Sequence, residues 1–328
     1  MDTGTHVVMG VALGGLATLS PTIANDPLLP TSVMIATIIG SQAPDFDTVL
    51  KLRNNAVYIR NHRGITHSVP ALFIWPLLVT SGILLFTPET NWSIVLLWSF
   101  IAVFLHVFVD IFNAYGTQAL RPFSNKWIAL GIINIFDPFI FFSHLVAFGI
   151  WGLGLARPGP TILLLYLVLI GYYIWRIGEK QRVVNHAKKL HPDASHIFVS
   201  PTIRWNQWHV VIRTPDIMFV TESRNHKIEY FEQYSFDPIP DIPVINAARK
   251  DPNLSAFLSF SPSYRWEVED KEDNVTEVRF VDLRYRSKGH YPFVAIVQLD
   301  QDLNILSSYT GWVFSEETLQ KKLNIVTE

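Results

Sequence analysis

Four apolar runs, at 68–86, 92–112, 132–155 and 161–177, fill much of the first half of this chain and constrain its fold more than any other feature. A helix needs roughly 20 apolar residues to cross the hydrocarbon of a bilayer, and these runs lie near that length. Two shorter runs, 7–19 and 31–43, precede them. They suit half-buried helices, a re-entrant pair or short spans within a bundle. From Gly178 onward the composition becomes mixed and charged. The expected fold class is an α-helical multi-span membrane domain over residues 1–178, then a soluble, mainly antiparallel β domain of α+β type over 179–328.

Lys and Arg positions set the expected orientation, because these cations stay on the cytoplasmic side. Lys51, Arg53, Arg60 and Arg63 precede the first long run, Arg121 and Lys126 lie between the second and third, and Arg176, Lys180, Arg182, Lys188 and Lys189 follow the fourth. The opposite turns hold only Glu89 and Arg157. Residues 44–67, 113–131 and the whole C-terminal half are therefore expected in the cytoplasm, at a multi-pass cytoplasmic membrane protein. The opening residues lack the basic region and small-residue cleavage site of a secretory signal, so they are expected to stay on the chain.

The C-terminal half alternates β-branched and aromatic residues with Pro, Asp, Asn and Gly clusters, as strands and their turns do. Strands are expected over 205–213, 217–221, 228–234, 264–268, 277–286 and 293–299, with one or two helices near 245–249, in one antiparallel sheet or small barrel. Its histidines, His186, His191, His196, His209, His226 and His290, are scattered without ligand spacing. The net charge of −2 argues against a nucleic-acid partner. With no cysteine, disulfides, thiolate metal sites and a cysteine nucleophile are excluded.

Against this apolar background, a few imidazoles and carboxylates stand out, since such groups beside lipid are costly unless paired, wetted or bound to an ion. They are His6, Asp45 and Asp47, His62 and His67, and His106 with Asp110, followed by the weaker pair Asn113 and Gly116. His106 and Asp110 are four apart and share one helix face; the plainer reading is a hydrogen bond along that face. Asp45 and Asp47, in Pro44-Asp45-Phe46-Asp47, point the same way in an extended chain; the plainer reading is a solvated turn. Arg63, between His62 and His67, suits an anionic oxygen held bidentately, whereas Thr66 or Ser68 suits a helix cap. The topology brings all of these to one membrane face. Asp137 can reach the same cluster, while His144 lies deeper and packs internally. A sulfur-free His and Asp set suits Zn²⁺, Mn²⁺ or Fe²⁺, and its size is compatible with two ions.

These motifs resemble the bacterial membrane-bound metal-dependent hydrolases, a family that includes a LexA-regulated inner-membrane member. The resemblance rests on Gly4-Thr5-His6, Pro44-Asp45-Phe46-Asp47, His62-Arg63-Gly64-Ile65-Thr66-His67-Ser68, and His106 to Asp110 followed by Gly116-Thr117 and Arg121-Pro122-Phe123-Ser124, covering about residues 1–155. The opening Met-Asp-x-Gly-Thr-His and the long β-rich tail are similar to a Bacillus-type branch with a C-terminal extension. The resemblance implies a multi-span α-helical hydrolase using metal at these positions.

The leading expectation is thus a metal-dependent hydrolase at the cytoplasmic membrane face, acting on a phosphoester or lipid-linked substrate. His6, Asp45, Asp47, His67, His106 and Asp110 would hold the divalent metal. His62 would ligate or act as general acid/base, and Arg63 would hold the anionic group. The alternatives are a membrane sensor or regulator with a structural metal site, and an ion-binding transporter. The transporter expects midplane ligands and inverted repeats, whereas these residues sit at one edge and no repeat is visible.

Overall fold

A computed structural model of the chain describes residues 1–52, 55–271, 274–287 and 289–324. Arg53, one of the cations used above for orientation, lies outside the described residues. Two compact units emerge: Met1–Asp47, Arg63–Gln181 and Pro201–Ile203 form the first, and Thr48–His62, Arg182–Ser200 and Arg204–Glu328 the second.

The first unit is helical. Its elements are α1 (Thr3–Ala17), α2 (Pro21–Ala24), α3 (Leu29–Gly40), and, after the chain's excursion into the second unit with α4 (Asn55–Asn61), α5 (Ala71–Leu84), α6 (Trp92–Asp110), α7 (Pro138–Gly152) and α8 (Pro158–Leu190). The last turns of α8 count with the second unit. Helices α6 and α8 are long and apolar enough to cross a membrane, while α1, α3, α5 and α7 are apolar but shorter. The four runs of the sequence therefore yield two helices of spanning length. The run 132–155 shortens because the Asp137 side chain accepts from Phe139 N and Ile140 N and starts α7 there, with Pro138 in its first turn.

Two apolar clusters tie these helices together. One joins Met9 and Ala12 of α1, Val109 of α6, Ile140 of α7 and Ile162 and Leu165 of α8. The other joins Val33 and Ala36 of α3 to Val79 and Ile83 of α5 and Val95 of α6. Large apolar side chains also face outward, among them Phe73, Leu77, Leu97, Phe104, Leu164 and Ile174. Small residues let the helices approach closely. At Gly10 a Cβ would come within 2.5 Å of Ser41 Oγ and 2.9 Å of Ile38 Cα, so α1 rests directly on the end of α3.

The second unit holds two four-stranded antiparallel sheets. The first is β1 (His196–Pro201), β2 (Gln207–Arg213), β3 (Ile217–Arg224) and β4 (Lys227–Ser235), in that order. After α9 (Pro243–Ala248) and α10 (Pro252–Phe260), the second sheet runs β5 (Tyr264–Asp270), β6 (Thr276–Asp282), β7 (Phe293–Leu299) and β8 (Ile305–Trp312), and α11 (Glu316–Asn324) closes the described chain. Strand β7 is apolar on both faces because each face is covered. Phe293, Ala295 and Val297 meet α9 and α10, whereas Val294 and Ile296 meet Leu319 and Leu323 of α11. The single sheet or barrel expected from the sequence is thus two sheets, with β1 and β8 beyond the expected strands and three helices, α9, α10 and α11, where one or two were expected. Segment Asn55–Asn61 belongs here too, with Ile59 packed into the α9–α10 core.

Candidate metal centre

Helix α6 fixes the centre. His106 and Asp110, one turn apart, are both buried on its inner face. Asp45 arrives from the 3₁₀ stretch Ala43–Leu52 that follows α3, and His67 from the short 3₁₀ turn Ile65–His67. All four side chains belong to the first unit. One donor atom from each lies within 4.8 Å of every other. His67 Nε2 is 3.6 Å from Asp45 Oδ1 and 3.6 Å from Asp110 Oδ2. His106 Nε2 is 3.7 Å and 3.8 Å from the same two oxygens, and 3.2 Å from His67 Nε2. A tetrahedral ion with bonds of about 2.0–2.1 Å holds its ligands roughly 3.4 Å apart. The four donors are therefore spaced as such an ion spaces them.

The protons agree with the distances. His106 Nδ1 is 2.6 Å from the Ser41 carbonyl oxygen, so it carries the proton and donates it. Thr66 Oγ1 donates to Asp47 Oδ2 at 2.8 Å and lies 3.1 Å from His67 Nδ1, so its oxygen accepts from that nitrogen. Both Nε2 atoms then present lone pairs toward each other, which is repulsive unless a cation lies between them. Among the described residues, Asp45 Oδ1 and Asp110 Oδ2 have no hydrogen-bond partner although both are buried. Two buried carboxylate oxygens and two imidazole lone pairs aimed at one point fit a divalent ion and oppose leaving it out.

The remaining expected residues occupy distinct places. Asp47 Oδ2 accepts from Arg63 N at 3.0 Å and from Thr66 Oγ1, and one carboxylate oxygen of Asp47 lies within 4.8 Å of one of Asp45. His6 is buried, stacks on His106 with centroids 3.7 Å apart, and lies 3.4 Å from Asp110 Oδ1 through Nε2. The Met1 amino group stands against Asp110 Oδ1 and is 3.0 Å from His6 Nε2. His62 counts with the second unit, where its ring stacks on Tyr58 at 4.5 Å. Asn113 Nδ2 donates to Asp110 Oδ1 at 3.3 Å, while its Oδ1 accepts from Tyr115 N and Gly116 N. Asp137 caps α7 and accepts from Tyr172 OH at 2.7 Å, and His144 Nδ1 lies 2.7 Å from Ile140 O.

Arg63 is the cation of the centre. It is buried, and its φ of 59° is left-handed, a conformation that costs a non-glycine residue about 1–3 kcal/mol. The surrounding loop holds it there, since Gln118 N donates to Arg63 O at 2.9 Å and Asp47 accepts from its amide. Its Nη2 lies 3.3 Å from Asp110 Oδ2 and 3.3 Å from Met1 O. Its Nε and Nη1 are buried and have no partner among the described residues.

Sequence reasoning did not find the Ser41 carbonyl or the Thr66–Asp47 link. The first is a carbonyl freed at the end of α3; such a group has no residue signature. Thr66 was visible only as a cap. Replacing Thr66 by valine keeps its shape and removes the hydroxyl that orients His67. Metal affinity is expected to fall by about 10–100-fold, read by competition with a chelator. Unchanged affinity would remove the link from the centre.

The comparisons with known proteins bear on the same residues. Residues 1–183 match the family model described as YdjM inner membrane protein, 192–234 match the YfhP middle domain, and 243–323 match the YfhP C-terminal alpha/beta plait domain. The chain is 55% identical over 326 residues to a Bacillus subtilis (strain 168) protein whose name reads "Uncharacterized protein YfhP", covering 99% of each chain. No solved structure matches.

Proposed function

Because the chain belongs to the YdjM inner membrane protein family, in a Bacillus-type branch that adds YfhP middle and C-terminal domains, we propose that it is a metal-dependent hydrolase seated in the membrane. It acts at the cytoplasmic face on a phosphoester or lipid-linked substrate, with its C-terminal half in the cytoplasm. The observation that carries this reading is the convergence of Asp45, His67, His106 and Asp110 beside a buried guanidinium with unpartnered N–H groups. The outward apolar surface of the first unit and its two spanning-length helices support the membrane seat.

The donor set suits Zn²⁺, Mn²⁺ or Fe²⁺. A bound ion of this kind supplies an acidified water and neutralises charge on a phosphoryl oxygen. The chain's own groups do the rest. Two carboxylates and two neutral imidazoles balance a divalent charge, and Arg63 adds a cation beside them for an anionic substrate. Its Nε and Nη1 present the paired donors that a phosphoryl group takes bidentately. The His6 imidazole, held against Asp110 by its stack on His106, is placed to take up or return a proton. In the net reaction the ester P–O bond breaks, water's oxygen bonds to phosphorus, and the proton passes to the released alcohol.

Four protein ligands also form the closed shell usual for a structural metal, and that favours the sensor reading as the alternative. Elemental analysis of the full chain, with a screen of phosphomonoesters and diesters, separates them. The expected result is about one divalent ion per chain, and hydrolysis that a chelator stops and the same metal restores. A metal-free protein would sink both readings. Bound metal without turnover of any ester would leave the sensor.

A further inference from the structure

We infer that the groove between α3 and α5 holds one acyl chain of a lipid whose phosphoester headgroup lies at the metal centre; this rests on the hydrolase reading for its headgroup chemistry. The groove has a volume of about 700 Å³ and is lined by Ile35, Ile39, Phe46, Trp75, Leu78 and Gly82. Its walls are apolar, and Ile35, Ile39, Phe46 and Leu78 are exposed in it. One end joins the metal centre through two neighbours in sequence and one hydrogen bond. Ala43 and Phe46 line the groove and bracket Asp45. Trp75 Nε1 donates to the carbonyl of Thr66, the residue before His67, at 3.1 Å.

Length and polarity then define the occupant. The 12 residues of α3 extend about 18 Å at 1.5 Å per residue, which matches one leaflet's share of a hydrocarbon core of about 30 Å. The metal centre beyond that end holds the guanidinium of Arg63, 3.3 Å from Asp110 Oδ2 and with buried N–H groups that lack partners among the described residues. Phe46 and Trp75 pack edge to face at the junction, with centroids 6.4 Å apart, and such aromatic side chains favour the headgroup boundary. An amphiphile with an anionic phosphoester head and one tail of leaflet depth satisfies both ends. Gly82 lies on the groove wall, and a Cβ there would meet nothing within 4 Å. A large side chain at this position therefore fills the groove rather than the protein core.

The test uses the full chain in phosphatidylcholine vesicles with two photoreactive probes. One is phosphatidate carrying a diazirine on its acyl chain, and the other is phosphatidylcholine carrying the same group. Phosphatidate is expected to label 35–46 and 75–86 well above the choline lipid, and Gly82→Trp to reduce that labelling by about tenfold. Gly82→Leu replaces it if the tryptophan variant does not fold, with metal content as the check. Equal labelling by the two lipids, or labelling untouched at Gly82, would mean bulk lipid alone and overturn the inference. Hydrolysis is scored separately, as the ratio of kcat/KM for long-chain over short-chain phosphate esters. Selective labelling without hydrolysis keeps the lipid site and removes the hydrolase. Hydrolysis without selective labelling keeps the hydrolase and removes the lipid site.

Discussion

Asp110→Asn is expected to strip the metal and abolish hydrolysis while the helices still assemble. Asparagine keeps the shape of the side chain and removes its charge. Asp110 is fully buried, and its two oxygens face His6, His67, His106, Arg63 and the Met1 amino group. A carboxylate at this position has no water to share its charge with, so the ion, the guanidinium and the Met1 amino group carry it. Removing one member of a buried ionic set costs about 3–5 kcal/mol, equivalent to roughly 10²–10⁴ in an equilibrium constant. Metal affinity is expected to fall by that factor, measured by titration against a competing chelator. Asp45→Asn is expected to cost less, because Asp45 is partly exposed and water can take part of its place. Equal metal content in wild type and Asp110→Asn would show that α6 does not carry the centre.

The centre was readable in the sequence wherever local geometry decides it. The spacing of His106 and Asp110 places them on one helix face regardless of the rest of the fold. The separate tasks of Asp45 and Asp47 were not legible, because Asp47 takes its partners, Arg63 N and Thr66 Oγ1, from a loop that only the tertiary fold brings to it. Apolar length located α6 and α8 but overestimated α5 and α7, since hydropathy does not register a cap such as Asp137. The division of the chain was less visible still. The segment Asn55–Asn61 lies between two metal-site motifs, yet its Ile59 packs with the C-terminal strands and helices. That assignment is made by long-range burial of residues such as Ile59, for which the local sequence has no period or punctuation. Strands β1 and β8 escaped for a related reason: β8 includes Ser307, Ser308, Thr310 and Gly311, whose partner is β7 rather than their own alternation.

Arg63→Gly is expected to separate function from folding. Arg63 occupies a left-handed conformation that glycine adopts without strain, so the substitution relieves backbone strain of about 1 kcal/mol or more. It also removes the Nη2 contact with Asp110, which the bound metal compensates in the loaded protein. The variant is therefore expected to retain its ion, with a loss of affinity smaller than that of Asp110→Asn, because the Met1 amino group and the ion itself still face the carboxylate. Catalysis is expected to behave oppositely. A positioned donor to developing phosphoryl charge contributes about 10²–10³ in kcat, and the free Nε and Nη1 of Arg63 are the donors available. Arg63→Lys, which keeps the charge and loses the planar fork, is expected to recover only part of the loss. The readouts are kcat and KM for a phosphoester on metal-loaded protein, with inorganic phosphate as competing ligand. Full activity in Arg63→Gly would assign the residue to holding Asp110 and leave the substrate anion without a recognised partner. A large loss with metal retained would place Arg63 on the substrate, because a residue that only supported the metal would lose both together.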